Sequence, residues 1–457
     1  MLSFLIRRAR RRSRNVPLWC GLAVLLLLAC TDAHAIPAYA RQTGAACADC
    51  HAGAYGAGAG GTLTPYGMRF KMNGYTDTDG NGIKIPVSGQ LIETHNAPAR
   101  GQSSTELTEA DLYLAGRITD QIGGYVKVTA DHTGQSGTYN TQLSNVDLRF
   151  VAKDLKLNNK DLLLGVSVNN NPGFDDPVDV LPASVTLGPP GGEGPSGTLL
   201  NPSSANAPAN RVIGATVYGL YDSSWYGEVG TYNSLPTSEQ DHLGYSLSGD
   251  PGKLSDTAYF RFAYMKDLKT QFFSVGLVGL NTKRQLPRTG PSDSITDLGY
   301  DLSYQYLGNR NNIVQLSYIN IMEQRKYGST PVSPTVPGLT ALPDGTLHDQ
   351  TLSVTYTFMQ SYGVQWAHLV STGTHDAVRF GPFGDPDTTA NLISVFWSPF
   401  GKDDSFTSIA NLKLAATWFR FSRFNGATNN IFDVPLGVST TKPADLNAFS
   451  VSASVAF

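Results

Sequence analysis

Cys47-Ala48-Asp49-Cys50-His51 is the part of this 457-residue chain best equipped for chemistry. Two thiols three residues apart, with a histidine directly after the second, form the pattern in which each sulfur adds to a vinyl group of haem. The imidazole is then held where it can ligate the iron from one face. A CxxC disulfide or redox pair followed by a chance histidine would use the same two sulfurs. The chain holds four cysteines, and the other two, Cys20 and Cys30, lie in a stretch that reads as an export signal. Arg7, Arg8, Arg10, Arg11, Arg12 and Arg14 form its basic region, Gly21 to Ala29 its apolar core, and Ala33-His34-Ala35 its cleavage site. Cleavage after Ala35 leaves Cys47 and Cys50 with no other thiol for a disulfide framework or a four-thiolate metal site. A lipoprotein-type site at Leu27-Leu28-Ala29-Cys30 would instead leave Cys30 lipidated. Both routes export the chain, which is where c-type haem attachment is made.

A second axial ligand has three candidates. Met68 and Met72 stand four apart, on one face of a short helix expected from Pro65 to Asn73, capped by Thr64 and ended by Gly74. Either can offer a thioether to iron, and either can simply pack against the porphyrin. His95, in the first expected strand, is the imidazole nearest in sequence; a lumen or surface histidine is its bland reading. Methionine ligation would raise the potential relative to two histidines and so favour electrons from a weak reductant. Asp77-Thr78-Asp79-Gly80-Asn81-Gly82 imitates the start of a calcium loop, but Ser88 stands where the bidentate glutamate belongs, so a turn linker is expected.

What must carry this segment is legible from composition and period. Charged residues make up 16% of the chain, tyrosine and phenylalanine number 21 and 20, and the formal net charge is -3. Nothing here favours nucleic acid as a partner. No stretch after the signal has the roughly twenty-residue apolar run of a spanning helix, so a closed barrel is the remaining way to live in a membrane. Thr351, Ser353, Thr355 and Thr357 alternate with Leu352, Val354, Tyr356 and Phe358, and similar alternation runs from Leu298 to Tyr306 and from Phe449 to Phe457. About sixteen strands are expected, beginning near Val87, Leu107, Gly123, Gln142, Leu162, Arg211, Trp225, Thr257, Gln271, Ile295, Asn312, Gln350, Gly363, Ala390, Ile409 and Leu446.

The links between them alternate in length. Asp120–Gly123, Asp222–Ser224, Asp267–Thr270 and Gly308–Asn311 are short; Asn171–Asn210 and Lys326–Leu347 are long. Short periplasmic turns and long extracellular loops are the rule for outer-membrane barrels, and a terminal Phe457 suits their insertion signal. A soluble β-sandwich or propeller offers no reason for that alternation. The Pro- and Gly-rich stretch from Asn171 to Asn210 reads as an irregular surface loop. Lumen-facing charges expected from the alternation (Asp111, Arg117, Lys127, Asp131, Asp147, Arg149, Arg261, Asp301 and Lys413) are mixed in sign, as for mutual pairing and not for a selectivity ring.

The expected fold is therefore all-β: a transmembrane antiparallel β-barrel over residues 85–457, preceded by a signal at 1–35 and a small monohaem segment at 36–84. So small a segment needs covalent haem and barrel contacts for stability, and a plug in the barrel is the economical arrangement.

Ala35, Pro37, Tyr39, Ala40, Arg41, Gln42, Thr43, Gly44, Cys47, Cys50 and His51, followed by Pro65-Tyr66-Gly67, Phe70-Lys71 and Gly74-Tyr75, resemble the fused outer-membrane cytochrome-porins of iron-oxidising bacteria. Tyr39 departs from that pattern, which has phenylalanine there. The resemblance implies a single covalent haem c that takes electrons from extracellular ferrous iron and passes them to a periplasmic c-type cytochrome. That is an iron-oxidising activity in an integral outer-membrane protein surrounded by lipid. Acidic loop residues Asp175, Asp176 and Asp179 offer hard oxygen ligands for ferrous ions. A haem-plugged diffusion porin and a conduit running in the reducing direction are the alternatives.

Overall fold

The computed structural model describes residues 37–53, 62–80, 84–131, 140–178, 197–201, 207–208, 210–329, 332, 337–380, 383–403, 410–435 and 438–457. The export signal with Cys20 and Cys30, the residues Asn81, Gly82, Asp179 and Gly192, and the link 54–61 lie outside the described residues.

Sixteen antiparallel strands close into one barrel. They are β1 (Val87–Pro98), β2 (Ser104–Arg117), β3 (Ile122–Asp131), β4 (Asn140–Leu157), β5 (Lys160–Asn169), β6 (Val212–Tyr221), β7 (Trp225–Ser234), β8 (Lys253–Asp267), β9 (Gln271–Gln285), β10 (Ser292–Tyr306), β11 (Asn312–Lys326), β12 (Asp344–Phe358), β13 (Tyr362–Gly373), β14 (Thr388–Trp397), β15 (Asn411–Arg423) and β16 (Ala448–Ala456). Each pairs with its sequence neighbours, and β16 closes on β1 from Gln90 with Ala456 to Pro98 with Ala448. Closure matters because an unpaired strand edge in hydrocarbon would cost several kcal/mol for each orphaned backbone group.

The alternation sorts faces as a membrane barrel requires. Thr351, Ser353, Thr355 and Thr357 are buried in the lumen, while Tyr356 and Phe358 are exposed on the outer wall. Asp301, Ser303 and Gln305 point inward, and Leu298, Tyr300, Leu302, Tyr304 and Tyr306 outward. The outer wall is thus an apolar, aromatic-rich belt of the kind that faces lipid. At one end the strands turn tightly. Asn158 and Asn159, Asp222 and Ser223, and Met359 and Gln360 all take left-handed φ angles between 50° and 62°. Two-residue turns of this hand match the twist of the flanking strands. Phe457 lies at the same end, its N–H donating to Gly89 O at 2.9 Å.

One sequence expectation is overturned. The segment after β5 does not stay on the surface. Helix α4 (Pro172–Asp175) and the stretch through Val178 turn into the lumen, and residues Gly197–Asn201 do the same. Val178, Leu199 and Leu200 join Val151, Val212, Tyr218, Tyr226 and Val278 in an apolar cluster inside the wall of β4–β11. The inward course is fixed by charge. Arg149 Nη2 meets Asp175 Oδ1 at 2.6 Å, and Arg261 spans Asp176 at 3.0 Å and Asp301 at 2.5 Å. Three consecutive backbone N–H groups of the second stretch, from Thr198, Leu199 and Leu200, donate to Asp349, Glu323 and Asp297 at 2.7, 2.9 and 2.7 Å. Among the described residues, six of the nine charges expected in the lumen pair with one another, Lys127 with Asp111 at 3.0 Å, Arg149 with Asp147 at 2.9 Å and Arg261 with Asp301. Arg117 instead pairs with Asp120 within the β2–β3 turn.

Candidate haem segment at the short-turn mouth

The N-terminal segment comprises α1 (Pro37–Thr43), α2 (Cys47–Cys50) and α3 (Pro65–Met72). Its contacts are with the short-turn end of the barrel. The Ala38 N–H donates to Ser88 Oγ at 2.8 Å, the Ala48 N–H to Gly401 O at 3.0 Å, and Gln305 Nε2 to Leu63 O at 2.8 Å. Arg310, in the β10–β11 turn, pairs with Asp49 at 2.7 Å and with Asp403 at 3.2 Å. The segment therefore sits in the mouth and packs against the inner wall.

Residues that carried the family resemblance serve as fasteners. Arg41 bonds the carbonyl of Val87. Gln42 is 4% exposed and donates to the carbonyls of Tyr75 and Asp77, both at 2.7 Å, while its own oxygen accepts the Arg117 N–H at 2.6 Å. Gly44 closes α1 by donating to Ala40 O at 2.8 Å from a φ of +70°, a conformation that side chains resist. Tyr39, Phe70 and Tyr75 form an aromatic knot, with Tyr39 stacked on Tyr75 at 5.2 Å between centroids. The Tyr75 hydroxyl donates to Asp147 Oδ2 at 2.6 Å; the Tyr39 hydroxyl has no hydrogen-bond partner among the described residues. Burial pushes the Tyr39 phenol well above its ordinary range.

Cys47 and Cys50 lie one helical turn apart on the same face of α2, and His51 N donates back to Cys47 O at 2.9 Å. Cys47 is buried with Asn411 Nδ2 at 3.6 Å from its sulfur. Thr64 is the joint between α2 and α3. Its hydroxyl bonds the Asp49 carbonyl, its N–H donates to Cys50 O at 2.9 Å, and its Oγ1 accepts the Gly67 N–H as the cap of α3. A Cβ on Gly67 would strike Cys50 O, so glycine is what allows α3 to lie on the cysteine turn. His51 pairs with Leu63 across an isolated bridge. Leu63 packs against the lumen cluster that also contains Met68 and Met72, 1% and 3% exposed. Two thiols on one helical face with an adjoining imidazole fit a c-type haem, and α3 carries two thioethers. Burial and then the Asp49 carboxylate push the Cys50 thiol up to about 12, so the haem-free chain keeps it protonated.

Met68 and Met72 belong to the cluster against which Leu63, the bridge partner of His51, packs, whereas His95 lies apart from the N-terminal segment. His95 is on the exposed face of β1, hydrogen-bonded to Thr105 at 2.7 Å. It lies seven residues along the strand from Ser88, the residue α1 touches, or roughly 23 Å at the rise of a strand. Asp175 and Asp176 are likewise not surface ligands for iron. They are buried in the lumen against Arg149 and Arg261. Asp77 is engaged by Asn73 and Lys153, and Asp79 by Lys84, as expected of a turn. Sequence reasoning missed the cavity of about 540 Å³ on the other side of α2, lined by Ala48, Asp49, Thr64, Tyr66, Lys269 and Arg310 among others. Its residues come from widely separated turns that no local pattern connects.

No family model and no curated protein matches the chain. Several solved barrels resemble it. Outer-membrane expressed OmpT of Vibrio cholerae is 12% identical with a TM-score of 0.45, covering 82% of this chain and 98% of its own. The anion-selective porin from Comamonas acidovorans is 11% identical at 0.43, covering 81% and 98%. Salmonella typhi OmpF in complex with daunomycin is 13% identical at 0.47, covering 82% and 98%. At these values the likeness concerns barrel architecture alone and is silent on haem or electron transfer.

Proposed function

We propose that the chain is an outer-membrane electron-transfer cytochrome, accepting electrons from extracellular ferrous iron and delivering them to a periplasmic c-type cytochrome. The observation that carries this reading is the seating of Cys47, Cys50 and His51 at the short-turn mouth, directly beneath a lumen packed by Met68, Met72, Tyr218 and the inward loop. Bound haem c supplies one-electron exchange at its iron. Cys47 and Cys50 would hold it and His51 would ligate it, with Met68 and Met72 as candidate thioether ligands. The chain's own work is to fix that turn, through Thr64, Asp49 and Arg310, and to exclude water with the apolar cluster. A haem held within a membrane-spanning wall would exchange electrons while insoluble ferric product stays outside.

A diffusion porin with a structural haem plug is the second reading. The hydroxyl-bearing lumen faces of β12, β14 and β16, with Thr351, Ser353, Thr355, Ser394 and Ser450, favour it, since such a surface suits a water-filled passage. Purified protein tests the two. The cytochrome reading requires a covalent haem that ferrous iron reduces; the porin reading requires solute conductance without redox turnover.

A further inference from the structure

The outer wall carries a second site, unrelated to the haem segment. A cavity of about 230 Å³ crosses β13, β14 and β15, lined by Trp366, Asn391, Ile393, Trp418, Arg420 and Ser422. Register explains its layout. Trp366 pairs with Ile393 and Ile393 with Trp418; two residues nearer the long-loop end, His368 pairs with Asn391 and Asn391 with Arg420. An apolar rank thus lies directly below a polar rank on the lipid-facing side. The polar rank is ordered. His368 Nδ1 is 3.0 Å from Asn391 Oδ1, and its ring stacks on Trp366 at 6.2 Å with 16° between planes. With Nδ1–H donating, the Asn391 amide nitrogen is left as a donor beside Arg420. The Arg420 guanidinium lies 5.9 Å from the Trp418 ring centroid, is exposed, and forms no ion pair with a carboxylate among the described residues.

A cation on the outer wall of a barrel is costly towards the midplane and tolerated near the interface, where tryptophan also settles. An anion at the same depth removes the remaining penalty, and a phosphate group matches the arginine fork. We infer that this cavity binds an anionic phosphate-bearing lipid of the outer leaflet, its phosphate at Arg420 and Asn391 and an acyl chain along Trp366, Ile393 and Trp418. Free phosphate is not the fitting occupant, because it would leave the apolar rank unused.

The test uses the full chain in detergent micelles, with brominated phosphatidylglycerol and brominated phosphatidylcholine as quenchers of tryptophan fluorescence. Wild type should be quenched at a roughly fivefold lower mole fraction of the anionic lipid, the scale of one arginine at a membrane surface. Arg420→Ala should abolish that preference and Arg420→Lys should keep part of it. Trp366→Phe with Trp418→Phe should remove the selective component. Heat-modifiable gel mobility reports that each variant still forms a closed barrel; should Arg420→Ala fail this check, Asn391→Leu replaces it, with a reduced preference expected. Equal quenching by the two lipids in wild type, an unchanged preference in Arg420→Ala or its replacement, or displacement of the lipid by inorganic phosphate would each overturn the assignment.

Discussion

The Tyr75 hydroxyl donates to Asp147 Oδ2 at 2.6 Å, and the same oxygen accepts from Arg149 Nε at 2.9 Å. Arg149 in turn grips Asp175 of the inward loop at 2.6 Å. One arginine on β4 therefore ties together the strand wall, the N-terminal segment and the inward stretch after β5. Replacing Tyr75 by phenylalanine removes one donor from a buried carboxylate and should cost about 1–3 kcal/mol. Limited proteolysis should cut the segment before β1 several-fold faster, while heat-modifiable mobility of the barrel stays unchanged.

Arg149→Ala should be more severe. It leaves Asp147 and Asp175 buried without their cation, a loss of about 3–5 kcal/mol. The temperature at which the barrel loses its compact gel mobility should fall, whereas in Tyr75→Phe it stays at the wild-type value. A drop in Arg149→Ala no larger than in Tyr75→Phe would show that the two carboxylates find other partners.

Tyr39 points the opposite way. Its hydroxyl is buried with no partner among the described residues, so Tyr39→Phe, which restores the residue of the resembled family, should leave the protein unchanged or stabilise it by about 1 kcal/mol. Thermal unfolding of the holo protein measures this. A clear loss of stability would reveal a partner for that hydroxyl.

Most of the barrel was legible because period-two alternation is local. Strands β1, β7, β9 and β11 begin at the residues the pattern indicated. Strand β12 begins at Asp344, ahead of the expected Gln350, because Asp344, Thr346 and His348 put polar groups on the outward face, where the alternation calls for apolar ones. The cap and stop of α3 were legible for the same local reason. The inward loop was not. Asp175 and Asp176 turn inward because Arg149 and Arg261, on strands distant in sequence, offer partners there. His95 was a candidate by sequence proximity alone, a measure that a strand pointing away from the mouth makes meaningless.

In haem-free protein the Cys50 thiol, raised to about 12 from an ordinary 9.0, should resist alkylation. A group raised on folding supports the fold below its unfolded value and withdraws that support as pH climbs past 9 towards 12. The alkylation rate at pH 8 should therefore be far below that of the denatured chain and rise with pH up to about 12. Equal rates at pH 8 would mean that the cysteine turn is open to water.

The inward loop offers a test of the porin reading. Asp349 accepts from Thr198 N–H at 2.7 Å and Asn201 Nδ2 at 2.9 Å, so Asp349→Ala should loosen that stretch. In planar bilayers, single-channel conductance should rise above the wild-type value. A wild-type protein already conducting at the level of an open porin, unaffected by this change, would mean that the loop does not restrict the lumen.

The most direct measurement is anaerobic addition of ferrous iron to the purified, oxidised protein in detergent, followed by its visible spectrum. The account predicts the bands of a reduced c-type haem, covalently retained on a denaturing gel and lost in Cys47→Ala with Cys50→Ala. It also predicts that His51 replacement abolishes reduction, and that replacing one of Met68 and Met72 shifts the spectrum and potential while the other acts through packing. A covalent haem that a strong reductant reduces and excess ferrous iron does not would contradict electron uptake from iron and favour the reducing-direction conduit. Absence of covalent haem would contradict the cytochrome itself.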